Sequence, residues 1–485
     1  MNREEFLMMI RRGWESQPEE FNYECKVEGT IPREISGTFY RNGPGLLDVY
    51  GTPLVHPIDG DGMVCAISLK DGRANFKSKY VATDEYKVEK TKQKCLYRGM
   101  MGTPPSEGWA ESLQQYLDAP TPFTIPKFKN PSNTNVYYWG GKLLACWESG
   151  LPYCLNPGTL ETIGKDTLGG ALDKANCLAA HFRYDSKRNL LVTFSLRLSI
   201  KGLPSLYIHE FDENWNLVRQ QKHQIEKYYY AHDFLLTDNY YIFHHTPFYN
   251  LNAENVMKMA TMEVSPGETM HYYPDVPSGM VVIDRFPTAD SKIQFFECEP
   301  FHIYHHINAV ENGHLIQFST VCLGKSFTME FENESSLFNA SAAPGRVLDF
   351  EIDLKNKKMS WKQSDGCSCE FPTINGNYNG KDWRYAYLMA AEENQPVIPY
   401  QEIIKFDRLF SNRQVWSCRN EKGVIGEPVF IPKENGKSED DGWVIVQMYQ
   451  CENHHTQFVL LDAQNLSEGP IARIHLDKHI PYGFH

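Results

Sequence analysis

From residue 205 onward the chain five times runs an apolar strand into an aspartate and a turn: SLYIHEFDENWN (205–216), GMVVIDRF (279–286), RVLDFEIDLKN (346–356), EIIKFDRLF (402–410) and FVLLDAQNL (458–466). Another apolar run precedes four of them: NYYIFHH (239–245), HLIQFST (314–320), WRYAYLMA (383–390) and WVIVQMY (443–449). Aspartate suits the turn because its carboxylate accepts nearby backbone N–H groups. Strand, turn, strand and Asp-turn, recurring irregularly, is the pattern of stacked antiparallel blades. The pattern favours a β-propeller, while the irregular spacing leaves a β-sandwich or a pair of barrels as the other all-β solutions. Helical periodicity is confined to residues 3–14 and 108–117. The rest is short strands rich in Tyr, Val, Ile and Phe, broken by Gly, Asn, Asp and Pro.

Composition narrows the function classes. A net charge of −13, from 61 acidic against 48 basic residues, argues against a broad nucleic-acid-binding face. The 12 cysteines form no paired CxxC elements, and only Cys367 and Cys369 lie close, so structural zinc is not indicated. The start, MNREEFLMMIRRGWESQPEEF, lacks the apolar core of a signal peptide, which favours reduced cysteines and a cytoplasmic setting. No apolar run approaches the roughly 20 residues needed to span a bilayer, so membrane contact would be peripheral. The segment 105–131 breaks the strand pattern with a short helix and a Pro-rich stretch. It reads either as a surface loop or as a cap whose Phe123, Ile125 and Phe128 dock on an apolar surface.

Seventeen histidines require selection. In FHIYHHINAVE (301–311), strand alternation puts Phe301, Ile303, His305 and Ile307 on one face, and His302, Tyr304, His306 and Asn308 on a polar or mixed one. In YYYAHDFLL (228–236), it puts His232 with Tyr228, Tyr230, Phe234 and Leu236. His181 follows a small-residue run in NCLAAHFRYD, and His485 ends HIPYGFH. A lone histidine on an apolar face is more often a hydrogen-bonded core residue than a ligand, and these four form no local motif.

The chain nevertheless resembles the carotenoid cleavage oxygenase family, and within it the cyanobacterial apocarotenoid oxygenases. The similar segments run nearly end to end: GTFYRNGPG (37–45), HPIDGDGMV (56–64), NTNVYYWGGKLLACWESGLP (133–152), LAAHFRYD (178–185), AHDFLLTDNYYIF (231–243), FHIYHHINAVENGH (301–314), CEFP (369–372), GEPVFIP (426–432), EDDGWVIVQMY (439–449) and LLDAQNL (460–466). The resemblance implies one seven-bladed β-propeller domain, with a helical or loop cap over an axial Fe(II). It carries the four ligands onto His181, His232, His305 and His485, with His305 in H-x-x-N. It carries three carboxylates that orient the ligand rings onto Glu148, Glu370 and Glu427. Neutral imidazoles suit Fe(II), and carboxylates behind them offset its charge and fix each tautomer. Two departures stand out: Phe182 replaces the proline common after the first ligand, and His485 is the last residue, where relatives carry a short tail.

The implied reaction is cleavage of a conjugated C=C bond of a carotenoid or apocarotenoid by O₂, giving two carbonyl products. Trp147 stands where stilbene-cleaving members resemble ALKE, whose lysine binds a phenol, so a polyene is favoured over a hydroxystilbene. Thr134 matches a residue that crowds one open iron position. Tyr304 and Phe234 are candidate tunnel walls, with core packing as the bland alternative for each. A stilbene-cleaving, retinoid- or lipid-isomerising member, a non-catalytic isoprenoid-binding propeller and an interaction scaffold are the alternatives. A monomer in peripheral contact with a membrane, with no nucleic-acid partner, is expected.

Overall fold

The computed structural model describes residues 3–104, 128–172, 177–197, 204–225, 231–246, 253–270, 278–323, 345–364, 366–391, 399–410 and 412–485. Their strands pair into seven antiparallel sheets arranged as the blades of a propeller, plus a two-stranded ribbon of Asp48–Val49 and Thr52–Pro53. The first strands of the blades are Gly37–Arg41, Asn135–Trp139, Arg183–Asp185, Phe234–Leu236, His306–Asn312, Ser368–Thr373 and Gly423–Pro432. Each is followed outward by its successors in chain order. Blade 1 takes its outermost strand, Phe21–Glu24, from the N-terminal segment, and the next strand, Lys26–Gly29, adds to the outside of blade 7. One continuous segment therefore clasps the first and last blades.

The core consists of seven apolar layers, one between each pair of neighbouring blades. Strand alternation feeds both neighbours. On Tyr385–Ala391 of blade 6, Ala386, Leu388 and Ala390 enter the layer toward blade 5, while Tyr387 and Met389 enter the layer toward blade 7. A strand buried on both faces has no polar side, which is why YAYLMAA reads as an unbroken apolar run and WVIVQMY as one interrupted only by Gln447.

The Asp-turn repeat marks the link between the third and fourth strands. Asp212 Oδ1 accepts from the Asn214 and Asn216 amides, Asp353 Oδ1 from Lys355 and Asn356, Asp407 Oδ1 from Leu409 and Phe410, and Asp462 Oδ1 from Gln464 and Asn465. In blade 2 Asn156 takes this role for Gly158 and Thr159. Blade 1 has no such link, because its fourth strand comes from the N-terminal segment. The Asp-turn repeat is therefore invisible in the first two blades.

The N-terminal helix spans Arg3–Arg11 and tightens into a 3₁₀ turn over Arg12–Trp14. Two further helices, Asp84–Lys92 and Ala253–Ala260, were not expected from periodicity. The first is polar along its length. Its start is set instead by Thr83, whose Oγ1 accepts from the Tyr86 amide. The expected helix at 108–117, and Phe123, Ile125, Tyr228 and Tyr230, lie outside the described residues. Phe128 is not a surface side chain: it is buried against Trp147 and Met262. Among the described residues no helix is long and apolar enough to cross a membrane.

Candidate metal centre

Four of the seventeen histidines converge. The ring nitrogens of His181, His232, His305 and His485 all lie within 4.8 Å of one another, although the residues are scattered over the chain. His181 and His232 each stand two residues before the first strand of blades 3 and 4, and His305 one residue before that of blade 5. His485 arrives by another route. The C-terminal tail is tied to the N-terminal segment by Gln17 Nε2 donating to the His479 carbonyl (3.0 Å) and Tyr482 Oη donating to that of Ile10 (3.0 Å). It then runs along the end of blade 1's first strand. Phe484 N–H donates to the Asn42 carbonyl (2.8 Å), Asn42 N–H to the His485 carbonyl (2.6 Å), and Arg41 Nη2 to that of Gly483 (2.9 Å). A Cβ at Gly483 would sit 2.2 Å from Arg41 Nε, so this approach requires glycine.

Three rings have a carboxylate behind them. His305 Nδ1–H donates to Glu370 Oε2 (2.6 Å), His485 Nδ1–H to Glu427 Oε1 (2.9 Å), and His232 Nδ1–H to Glu148 Oε1. Among the described residues His181 has no carboxylate partner. These bonds assign the Nδ1 tautomer and leave each Nε2 with its lone pair. The Nε2 atoms nevertheless approach closely: His181 to His232 at 2.9 Å, His232 to His305 at 3.1 Å and His305 to His485 at 3.1 Å. The last two contacts set lone pair against lone pair, which is repulsive unless a cation lies between them. A metal–imidazole bond of about 2.1 Å puts donors meeting at right angles about 3.0 Å apart, and tetrahedral donors about 3.4 Å apart. The observed spacing matches the right-angled set. The donor set therefore fits a metal ion.

Electrostatics favour neutral rings at His181 and His485 but not at His232. Burial holds the His181 and His485 rings well below the usual imidazole value, and the neighbouring histidines push them further down. Burial opposes the charged form of His232 as well, but Glu148 overcomes it and the ring lies above its ordinary value. Burial pushes Glu427 up to about 7, against the pull of Arg41 and His305.

The other expected site residues divide. Thr134 stands one residue before the first strand of blade 2, and its carbonyl accepts from the His485 amide (3.2 Å). Its Oγ1 donates to Asn133 Oδ1 (3.3 Å). The Tyr304 ring meets that of His232 edge-on, with centroids 5.5 Å apart. Trp147 is buried with Phe128 and Met262, next in sequence to Glu148. Phe234 lies in the layer between blades 3 and 4, fully buried against Phe194 and Phe243, and is core rather than tunnel wall.

His302 and His306 are off the cluster, as expected. Both are buried, and His302 Nδ1 faces Thr246 Oγ1 at 3.2 Å. Residues 301–305 are not a regular strand either, since the strand begins at His306. Phe371 was missed. Its ring packs on His305 and His485, with centroids 4.7 and 5.0 Å away, its φ is +51°, and its N–H donates to Glu370 Oε2. A phenylalanine in the left-handed region before a proline is strained, typically by about 1–3 kcal/mol. The only sequence signal was its position in CEFP.

Comparison with known proteins agrees with this site. A sequence profile of the retinal pigment epithelial membrane protein family matches residues 14–485. The apocarotenoid-15,15′-oxygenase of Synechocystis is 34% identical over 483 residues, 98% of this chain and 94% of that protein. The β,β-carotene 15,15′-dioxygenase of Mus musculus is 27% identical, covering 94% of this chain and 88% of its own. The isoeugenol monooxygenase of Pseudomonas putida is 26% identical, covering 96% and 94%. A solved structure of the cobalt-substituted Synechocystis oxygenase superposes with a TM-score of 0.90 at 34% identity, over 99% of this chain and 98% of that one. With its seven blades, its four convergent histidines and these relatives, the chain belongs to the retinal pigment epithelial membrane protein family of carotenoid cleavage oxygenases.

Proposed function

We propose that His181, His232, His305 and His485 hold Fe(II), and that the protein cleaves a conjugated C=C bond of a carotenoid or apocarotenoid with O₂ to give two carbonyl products. The observation that carries this reading is the set of Nε2 lone pairs turned on one point while three Nδ1 protons are committed to carboxylates. When bound there, a ferrous ion supplies open coordination and the electrons that activate O₂. The chain's own residues do the rest. Glu148, Glu370 and Glu427 hold the ring protons at Nδ1 and offset the ion's charge. Phe371 and Tyr304 put aromatic faces and edges beside the ligand rings, where they shape an apolar space and exclude water. Thr134, through its carbonyl, fixes the His485 backbone. Trp147 supplies apolar area and no ammonium, which supports a polyene over a hydroxystilbene. An apolar polyene also calls for peripheral contact with a membrane surface.

The test is aerobic incubation of the iron-reconstituted protein with carotenoids, apocarotenals, a hydroxystilbene, isoeugenol and a retinyl ester, with products identified by mass spectrometry. Aldehydes from a polyene are expected. Turnover of only the stilbene, isoeugenol or the ester would overturn the assignment.

A further inference from the structure

Three residues beside the ligands are tied together across three blades. Arg183 lies two residues after His181, Asp233 one after His232, and His306 one after His305. Arg183 Nη2 donates both to Asp233 Oδ2 and to the His306 carbonyl (3.1 Å), and its Nε donates to the Phe234 carbonyl (2.7 Å). Asp233 Oδ2 also accepts from the His306 amide (2.9 Å), while its Oδ1 accepts from that of Phe234 (2.7 Å). The Asp233 side chain is 3% exposed and that of Arg183 14%. The strand that begins at His306 slips register by one residue between His306 and Asn308, so its first residue is held from the side by this pair as well as by its ladder.

We propose that Arg183 and Asp233 form a brace that sets the spacing of His181, His232 and His305 around the metal. They are positioning residues, and the inference rests on the metal reading above. An ion pair that served only to tie blades together could sit anywhere along a blade interface. This one joins backbone atoms within two residues of three ligands, and it grips both the amide and the carbonyl of His306. A guanidinium can make these three directed bonds at once, whereas a lysine ammonium at the same place cannot reach all of them. Shifting one blade relative to the next would therefore change the distances between Nε2 atoms, and hence the fit of the ion.

The experiment uses Co(II) as probe in the full chain, with affinity from chelator competition, the visible absorption of the bound ion, and thermal melting. Arg183→Lys and Asp233→Asn are each expected to weaken Co(II) binding by about 10–100-fold and to alter its absorption. The double variant is expected to be no weaker than the weaker single one, because the pair acts as a unit. Should Asp233→Asn fail to fold, the charge-conserving Arg183→Lys decides. Unchanged affinity and absorption in a folded variant, even with a lowered melting temperature, would reduce the pair to a blade tie and overturn the proposal. Absence of Co(II) binding by the unaltered chain would instead sink the metal reading, and the brace with it.

Discussion

Replacing Glu370 by Gln keeps the side chain's shape and removes its charge. Glu370 Oε2 accepts from His305 Nδ1 at 2.6 Å and from the Phe371 amide, and an amide oxygen in the same place could still accept both. What is lost is the attraction of a carboxylate for a divalent ion one imidazole away. At roughly 6 Å this is about 5–6 kcal/mol for an effective dielectric near 20, and about 1.4 kcal/mol in water. Loss of a partner behind a metal-bound histidine typically costs about 10–100-fold in affinity, or about 1.4–2.7 kcal/mol, between those limits. Burial decides where in that range each carboxylate falls. Glu370 is 6% exposed and Glu148 is 20% exposed. Glu370→Gln is therefore expected near the 100-fold end, and Glu148→Gln nearer 10-fold. Chelator competition for Co(II) on the folded variants measures both. Equal affinities for Glu370→Gln and the unaltered chain, or a larger loss for Glu148→Gln, would refute the argument that buried carboxylates offset the ion.

Four other outcomes follow from the geometry. His305→Ala should lose the metal while His302→Ala keeps it, read by metal content after dialysis, because His302 lies outside the cluster. Gly483→Ala should also lose metal, since its Cβ would fall 2.2 Å from Arg41 Nε and displace the tail that carries His485. Burial holds His56 at about 3 and His209 at about 4, below the unfolded value. Between about pH 6.5 and 4 the unfolded chain binds protons that the folded one refuses, so stability is full above that window and falls as pH drops through it. The loss reaches at most about 1.4 kcal/mol per pH unit for each histidine, and His209→Gln should flatten the slope of urea stability against pH. Arg285 is fully buried and donates to Glu210 Oε1 at 2.6 Å, with Asp185 Oδ2 at 2.7 Å. Arg285→Met leaves Asp185 to Arg188 and Glu210 to Tyr241 Oη and Arg219, so urea unfolding should register a loss of about 3 kcal/mol, the lower end for a broken buried pair.

The fold was legible where its physics is local. Asp212, Asp353, Asp407 and Asp462 announce the third-to-fourth-strand turns because the carboxylate does the same hydrogen bonding each time. The runs 385–391 and 442–450 announce strands with apolar layers on both faces. Ring closure by residues 21–29 was not legible, because no periodicity in a segment says which distant edge it will join. The helix at Asp84–Lys92 was missed because its face is polar and only its cap marks it. At the site, resemblance to a family carried over His181 and His485, which no local pattern distinguishes. Phe371 and Arg183 escaped because their roles depend on neighbours from other blades.

Alternation set His305 apart from His302 and His306, and His305 does join the cluster, but for a reason other than strand alternation. A regular first strand sends its side chains alternately into the two apolar layers beside it, so none is free to point along the central axis. Axial side chains must come from residues where the ladder has not begun or has slipped. His181, His232, His305 and Thr134 all stand one or two residues before a first strand. Glu370 sits at the register break between Glu370 and Thr373, and Glu427 within that between Ile425 and Pro428. Bulges and strand ends are where a sheet can re-aim a side chain without abandoning its core. Departures from strand periodicity therefore mark this site more faithfully than periodicity itself, and the left-handed backbone of Phe371 lies inside one of them. Restoring regular pairing there, by deleting Phe371, would turn Glu370 away from the axis and leave His305 without its carboxylate.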